Sequence, residues 1–108
     1  MTAILTNQEE RILLAIFHLG DGAYLVNIRS KLKELTGKTY DVGTIYVPLK
    51  RLHTKGYLDI VLGKPTAVRG GKAIRYYRLT KQGSDALAEL KCARDRLWDG
   101  VVLPVGSV

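Results

Sequence analysis

The stretch Asp41–Gly56, DVGTIYVPLKRLHTKG, constrains this chain more than any other. It opens on a residue suited to capping a helix and closes on glycine, so it reads as one helix. At about 100° per residue, Val42, Ile45, Leu49 and Leu52 share one face. Gly43, Thr44, Val47, Lys50, Arg51 and Thr54 fall on the opposite side, which is small, polar and basic and holds no acid. An ordinary surface helix mixes Glu with its Lys and gains i,i+4 pairs. A face without acids is suited to an anion, and DNA is the first candidate. Pro48 is the anomaly. A proline inside a helix forfeits one backbone hydrogen bond and collides with the carbonyl four residues back, a cost of about 3 kcal/mol. Either the helix is single and kinked, leaving the Thr44 carbonyl to water or to the Thr44 hydroxyl, or it starts near Val47 with Pro48 in its first turn. The spacing of Val42, Ile45, Leu49 and Leu52 favours the single helix.

The charge is concentrated around this stretch. Between Asn27 and Lys81 there are 13 basic and 3 acidic residues, whereas the two flanks together hold 4 basic and 7 acidic. A basic middle between mildly acidic ends points to a binding surface rather than to general solubility. At 108 residues the chain has room for one modest core. Its single cysteine, Cys92, excludes an internal disulfide and fits a reducing compartment. No apolar run approaches a bilayer span and the start lacks the pattern of a secretory signal, so a cytoplasmic, nucleoid-associated protein with no membrane partner is expected.

The rest of the chain supplies a frame for the reading helix. Thr6-Asn7-Gln8-Glu9 has the form of a capping box, and Ile12, Leu13, Ile16 and Leu19 follow at helical spacing with Phe17 at the border. Gly20-Asp21-Gly22 ends this first helix. A second runs from about Tyr24 to Thr36, with Leu25, Ile28, Leu32 and Leu35 as its buried stripe and Gly37 as a left-handed cap. Only Thr36 to Tyr40 separate it from the third helix, so the pair reads as a helix-turn-helix whose second member enters the major groove. Tyr57–Leu62 and Ala73–Leu79 are rich in strand formers and flank a ten-residue Gly- and Pro-containing loop that is basic at Lys64, Arg69 and Lys72. Thr80 caps a last helix whose apolar positions are Ala86, Leu87, Leu90, Ala93, Leu97 and Trp98. The expected fold is mainly α with a small two-stranded β hairpin. It is an α+β winged helix-turn-helix in the order helix, helix, helix, strand, wing, strand, helix. Residues 1–80 form the DNA-binding unit, 81–98 a dimerisation helix and 99–108 a flexible tail.

GTIYVPLKRLHTKGYL (Gly43–Leu58) followed by RGGKAIRYYRLTKQG (Arg69–Gly83) resembles the PadR family of bacterial transcription regulators. The family pattern is a Tyr, a Pro, L-x-R-L and a Gly before a hydrophobic residue, then a wing and a strand ending Y-x-L-T-x-x-G. The resemblance runs from about Leu5 to Trp98. It implies a dimeric winged-helix DNA-binding protein, usually a repressor. It matches Tyr46 to a tyrosine associated with the DNA backbone, Arg51-Leu52 to the R-L pair, and Arg69-Gly70-Gly71 to the wing tip. The proline falls two residues after Tyr46, where many members have it immediately after.

The expected DNA-binding residues are therefore Gly43, Thr44, Tyr46, Lys50, Arg51, Thr54, Lys64, Arg69, Gly70 and Lys72. Lys50, Thr44 and Thr54 are the groove candidates, and for any one of them a phosphate role or no contact is an equal alternative to reading a base. Arg51 has a competing use, as partner to an acid of the first helix. Tyr46 and His53 border the buried stripe, and His53 reads as structural or solvated. Tyr77 is assigned to the core with Leu79, and Cys92 to a small packed position. Leu87, Leu90, Leu97 and Trp98 are the expected dimer interface. Trp98 keeps two readings, simple dimer packing or the wall of a pocket for a small aromatic effector, which some members of the family bind. No cofactor or metal is expected, because two histidines and one cysteine cannot complete a usual zinc site and no triad spacing exists. Gly70-Gly71-Lys72 lacks the spacing of a phosphate-binding loop, and catalysis is not expected. The competing function is a winged-helix interaction module whose basic face docks an acidic partner.

Overall fold

A computed structural model describes residues 5–63 and 73–104. The elements are α1 (Asn7–Leu19), a short 3-10 turn (Gly20–Gly22), α2 (Leu25–Thr36), α3 (Val42–Thr54), β1 (Leu58–Leu62), β2 (Arg75–Leu79) and α4 (Lys81–Trp98). The two strands pair antiparallel between α3 and α4, which makes the molecule a winged helix.

Helices α1 and α4 start where a threonine side chain accepts from a free N–H, whereas α2 and α3 start without such a bond. Thr6 and Glu9 form the capping box at α1: the Glu9 N–H donates to Thr6 Oγ1 at 3.1 Å and the Thr6 N–H to Glu9 Oε1 at 2.9 Å. At α2 the cap is Tyr24, whose N–H donates to Asn27 Oδ1 at 2.7 Å, while Asn27 Nδ2 donates to the Gly22 carbonyl at 2.8 Å. Gly37 closes α2 at φ 75°, the left-handed cap its lack of a Cβ permits. Asp41 precedes α3 with an extended backbone but no side-chain cap bond, so position alone makes it the cap.

The core gathers Ile12, Leu13 and Ile16 of α1, Ile28 and Leu32 of α2, Ile45, Leu49 and Leu52 of α3, and Leu58 and Tyr77 of the hairpin. Burying each of the large aliphatic side chains stabilises the fold by about 1.5–3 kcal/mol. Two expected core positions lie elsewhere. Val42 is 49% exposed and Leu35 50% exposed. Both sit at helix ends where the stripe runs past the core. Tyr40 fills the space beside the α3 entrance instead, and its carbonyl accepts a hydrogen bond from Arg29 Nε. Leu19 and Leu25 are partly buried against the core, whereas Phe17 faces solvent. Cys92 is also exposed, not packed.

The register pairs Leu58 with Leu79, Ile60 with Tyr77 and Leu62 with Arg75, so these six residues share one face, of which Ile60, Leu62, Arg75 and Tyr77 are turned to α3. Asp59 opposite Arg78 and Val61 opposite Tyr76 point the other way. The Tyr77 N–H donates to the Ala23 carbonyl at 2.8 Å and thereby ties the hairpin to the segment before α2. Thr80 joins hairpin to last helix: its hydroxyl donates to the Gly56 carbonyl at 2.7 Å and accepts from the Gly83 N–H at 3.0 Å. A Cβ on Gly83 would run into the Tyr57 carbonyl and the Leu79 side chain, so only glycine allows α4 to lie this close to the hairpin.

Candidate nucleic-acid interface

Helix α3 is continuous from Val42 to Thr54 with Pro48 inside it, so Thr44 and Tyr46 are helical residues. Pro48 turns to the interior beside Ile45, Leu49 and Leu52. The buried side thus absorbs the residue least suited to a helix. Gly43, Thr44, Tyr46, Val47, Lys50, Arg51, His53 and Thr54 are all exposed. None of these eight is acidic.

The exposed arc has a centre and two flanks. Gly43, Val47, Lys50 and Thr54 lie within an arc of roughly 60° at 100° per residue and point directly outward. On one flank Tyr46, Lys50 and His53 face the hairpin across a cleft completed by Ile60, Leu62, Arg75 and Tyr77. Arg75 and His53 join the basic surface here. The spacing of Tyr46, Lys50 and His53 at i, i+4 and i+7 is the signal that groups them, while the strand register is what adds Arg75. Burial raises the Tyr77 hydroxyl above its ordinary pKa, so it closes the cleft as a neutral group.

On the other flank the basic residues are already engaged. Arg51 Nε donates to Glu9 Oε2 at 3.0 Å, and Lys55 Nζ donates to the same oxygen at 3.1 Å. The Glu9 side chain is fully buried. Burial by itself pushes this carboxyl up, but the Thr6 N–H and the Arg51 and Lys55 cations outweigh it and hold the pKa below its ordinary value. Arg51 therefore fastens α3 to α1, the competing use the sequence allowed. Its side chain stays 47% exposed, so it borders the outward face as well. Neither Glu9 as the acid nor Lys55 as its second partner is evident from sequence, because the contact spans more than forty residues of chain. Lys64, Arg69, Gly70 and Lys72, expected in the wing, lie outside the described residues.

A second surface involves α4. Its first turns are anchored through buried Gly83 and Ala86, and Leu87 and Leu90 are half-buried. Farther along, Leu97 is 77% and Trp98 56% exposed. Between α1 and α4 runs an apolar groove of about 440 Å³, lined by Leu14, Phe17, Leu79, Leu87 and Ala88 with Glu10, Lys91 and Arg94 at its rim. Arg94 Nη2 meets Glu10 Oε1 at 2.7 Å across it.

No described helix is long and apolar enough to cross a membrane. Among the described residues no group of three or more His, Cys, Asp or Glu is arranged to hold a metal ion.

No curated protein matches the chain. Solved structures do. A PadR-like transcription factor from Bacteroides fragilis is 30% identical, with 84% of this chain and 82% of that one covered and a TM-score of 0.69. A PadR family regulator from Eggerthella lenta is 27% identical, with 82% and 75% covered and a TM-score of 0.67. A transcriptional regulator from Clostridium thermocellum shares the fold at 22% identity, with 89% and 92% covered and a TM-score of 0.67. The model of the transcriptional regulator PadR-like family matches residues 13–89, which include the whole helix-turn-helix, the hairpin and the first half of α4. The chain belongs to the PadR-like family of transcriptional regulators: it is a winged-helix DNA-binding regulator and not an enzyme.

Proposed function

We propose that the protein is a homodimeric repressor that reads a pseudo-palindromic operator with α3. The observation that carries this reading is the exposed, acid-free outer face of α3. Two copies would place their α3 helices in successive major grooves, with half-sites about one helical turn apart. Lys50 and Thr54 lie at the centre of the face and take the base-edge role, and Thr44 lies toward the Arg51 flank. Gly43 lets the duplex approach the helix backbone. Tyr46 takes a backbone phosphate beside the hairpin, and Arg51 takes one at the opposite flank while keeping its bond to Glu9. Lys64, Arg69, Gly70 and Lys72 of the wing clamp further phosphates.

In this reading residues 1–80 are the DNA-binding unit and 81–98 the dimerisation helix. Leu87, Leu90, Leu97 and Trp98 supply the contact between copies. The exposure of Leu97 and Trp98 in a single protomer supports that role, since large apolar side chains at the end of a helix gain stability only when a partner covers them. Packing between copies is the simplest use of Trp98. A small aromatic effector lodged at the interface is the regulatory variant of the same arrangement. The protein would then act in the cytoplasm, on the nucleoid.

The test is a mobility-shift assay on the DNA upstream of the protein's own coding sequence, with excess unrelated DNA. Retardation of a discrete complex is expected, and none from folded protein at moderate salt contradicts the proposal. In parallel, analytical ultracentrifugation should find a dimer whose self-association Leu90→Asp weakens by at least about tenfold, the effect of placing a charge in an apolar interface. A monomer that binds operator normally contradicts the role given to α4.

A further inference from the structure

Among the described residues Val47 belongs neither to the buried core nor to the partly buried hydrophobics packed against it. It lies at the centre of the outward arc of α3, 55% exposed, between Gly43, Lys50 and Thr54. It also disfavours the helix it belongs to. A β-branched residue loses side-chain freedom in a helix, and a residue directly before proline is pushed away from helical backbone angles. Pro48 next to it is buried and Leu49 after it is fully buried, so the backbone at Val47 is held rigidly while its side chain points outward.

We propose that Val47 is a specificity-determining residue that recognises the 5-methyl group of a thymine in the major groove. The inference rests on the reading of α3 as the groove helix. The thymine methyl is the apolar group that base edges present in that groove, and a small aliphatic side chain is its match. Two features make a short side chain sufficient. One turn before Val47 is Gly43, which has no side chain, and the space a Cβ would take there is open, so on that side the duplex can come close to Val47. The stiff rotamer of Val presents its two methyls without further loss of freedom on binding. Lys50, one turn on, supplies a cation for a guanine edge or a phosphate next to that thymine. Val47 thus adds a choice of base to a surface whose other residues are polar or basic.

The experiment begins with a duplex selected by the full-length protein from a random-sequence pool. Each thymine is then replaced in turn by deoxyuridine, which keeps every hydrogen-bonding group and lacks only the methyl. Wild-type protein should lose about fourfold in affinity at one thymine of each half-site, the effect of leaving one methyl-sized contact unmade. Val47→Ser should bind the thymine and deoxyuridine forms equally well, and Val47→Ile should keep the preference. Wild-type affinity unaffected by every replacement, or a Val47→Ser variant that still discriminates, overturns the assignment of Val47. Failure of the wild-type protein to prefer the selected duplex over unrelated DNA overturns the groove reading of α3 itself.

Discussion

Helices α3 and α4 both expose long faces, and the two faces are chemically opposite. Along α4 three of the four cations are paired with acids: Lys81 with Asp85 at 3.2 Å, Lys91 with Asp95 at 2.8 Å, and Arg94 with Glu10 of α1, while Arg96 in the last turn has no acidic partner among the described residues. Large apolar side chains are uncovered there as well, at Leu97 and Trp98. Along the outward arc of α3 there is no acid, and Lys50 has no acidic partner among the described residues. Exposed ion pairs contribute little to stability, about 0.2–1 kcal/mol each, so the contrast matters less for folding than for association. A mostly neutralised surface with apolar patches suits another protein. A positive one with small side chains suits a polyanion.

The comparison breaks most readily at Lys50. Lys50→Glu should reduce affinity for a selected duplex by about 100-fold, because it removes a contact worth about 1–3 kcal/mol and adds repulsion against the DNA. Lys91→Gln, which removes an exposed cation from α4, should change it by no more than about twofold. Fluorescence anisotropy reads both, and equal losses would show that total charge, not the face of α3, governs binding.

Gly83 tests how firmly α4 is fixed at its inner end. Alanine is normally the better helix former, by about 1 kcal/mol. Here the added Cβ would meet the Tyr57 carbonyl and Leu79, so Gly83→Ala should instead destabilise the fold by about 1–3 kcal/mol in denaturant titration. A gain in stability would mean that α4 can shift away from the hairpin.

The smallest expected effect belongs to Glu9, where α3 itself has a neutralised flank. Its carboxyl is held below its ordinary pKa in the folded protein. The resulting stability is present above the unfolded-state value, about 4.3, and is lost as pH falls through the lower folded value. Glu9→Gln should therefore be less stable at neutral pH by about 1 kcal/mol and lose stability less steeply below about pH 5. Superimposable acid limbs for the two proteins would show that Arg51 and Lys55 do not hold the carboxylate.

Much of this architecture is legible in the sequence because local rules dictate it. The Thr6–Glu9 capping box, the Ile45, Leu49 and Leu52 stripe of α3 and the two runs of strand formers each need only neighbouring residues, and the structure has all three. Pro48 was readable too, since the spacing of Ile45, Leu49 and Leu52 continues through it. What the sequence left open depends on contacts between distant segments. Val42 and Leu35 fit their stripes but overhang the core, and no helical wheel shows where a core ends. Glu9 looks like an ordinary first-turn acid until α3 is laid beside it. Arg75 enters the α3 cleft only because Leu62 is its cross-strand partner. Gly83 reads as a weak point in a helix, and only the approach of Tyr57 explains it.

The central claim is that the unneutralised face of α3 meets the phosphates and base edges of DNA. The most direct test is the affinity of the full-length protein for its selected duplex across a series of salt concentrations. Log affinity should fall linearly with log salt, with a slope of about −0.9 for each phosphate contacted, and Arg51→Gln, in protein shown to be folded, should flatten that line. Affinity indifferent to salt, or a slope that Arg51→Gln leaves unchanged, contradicts it.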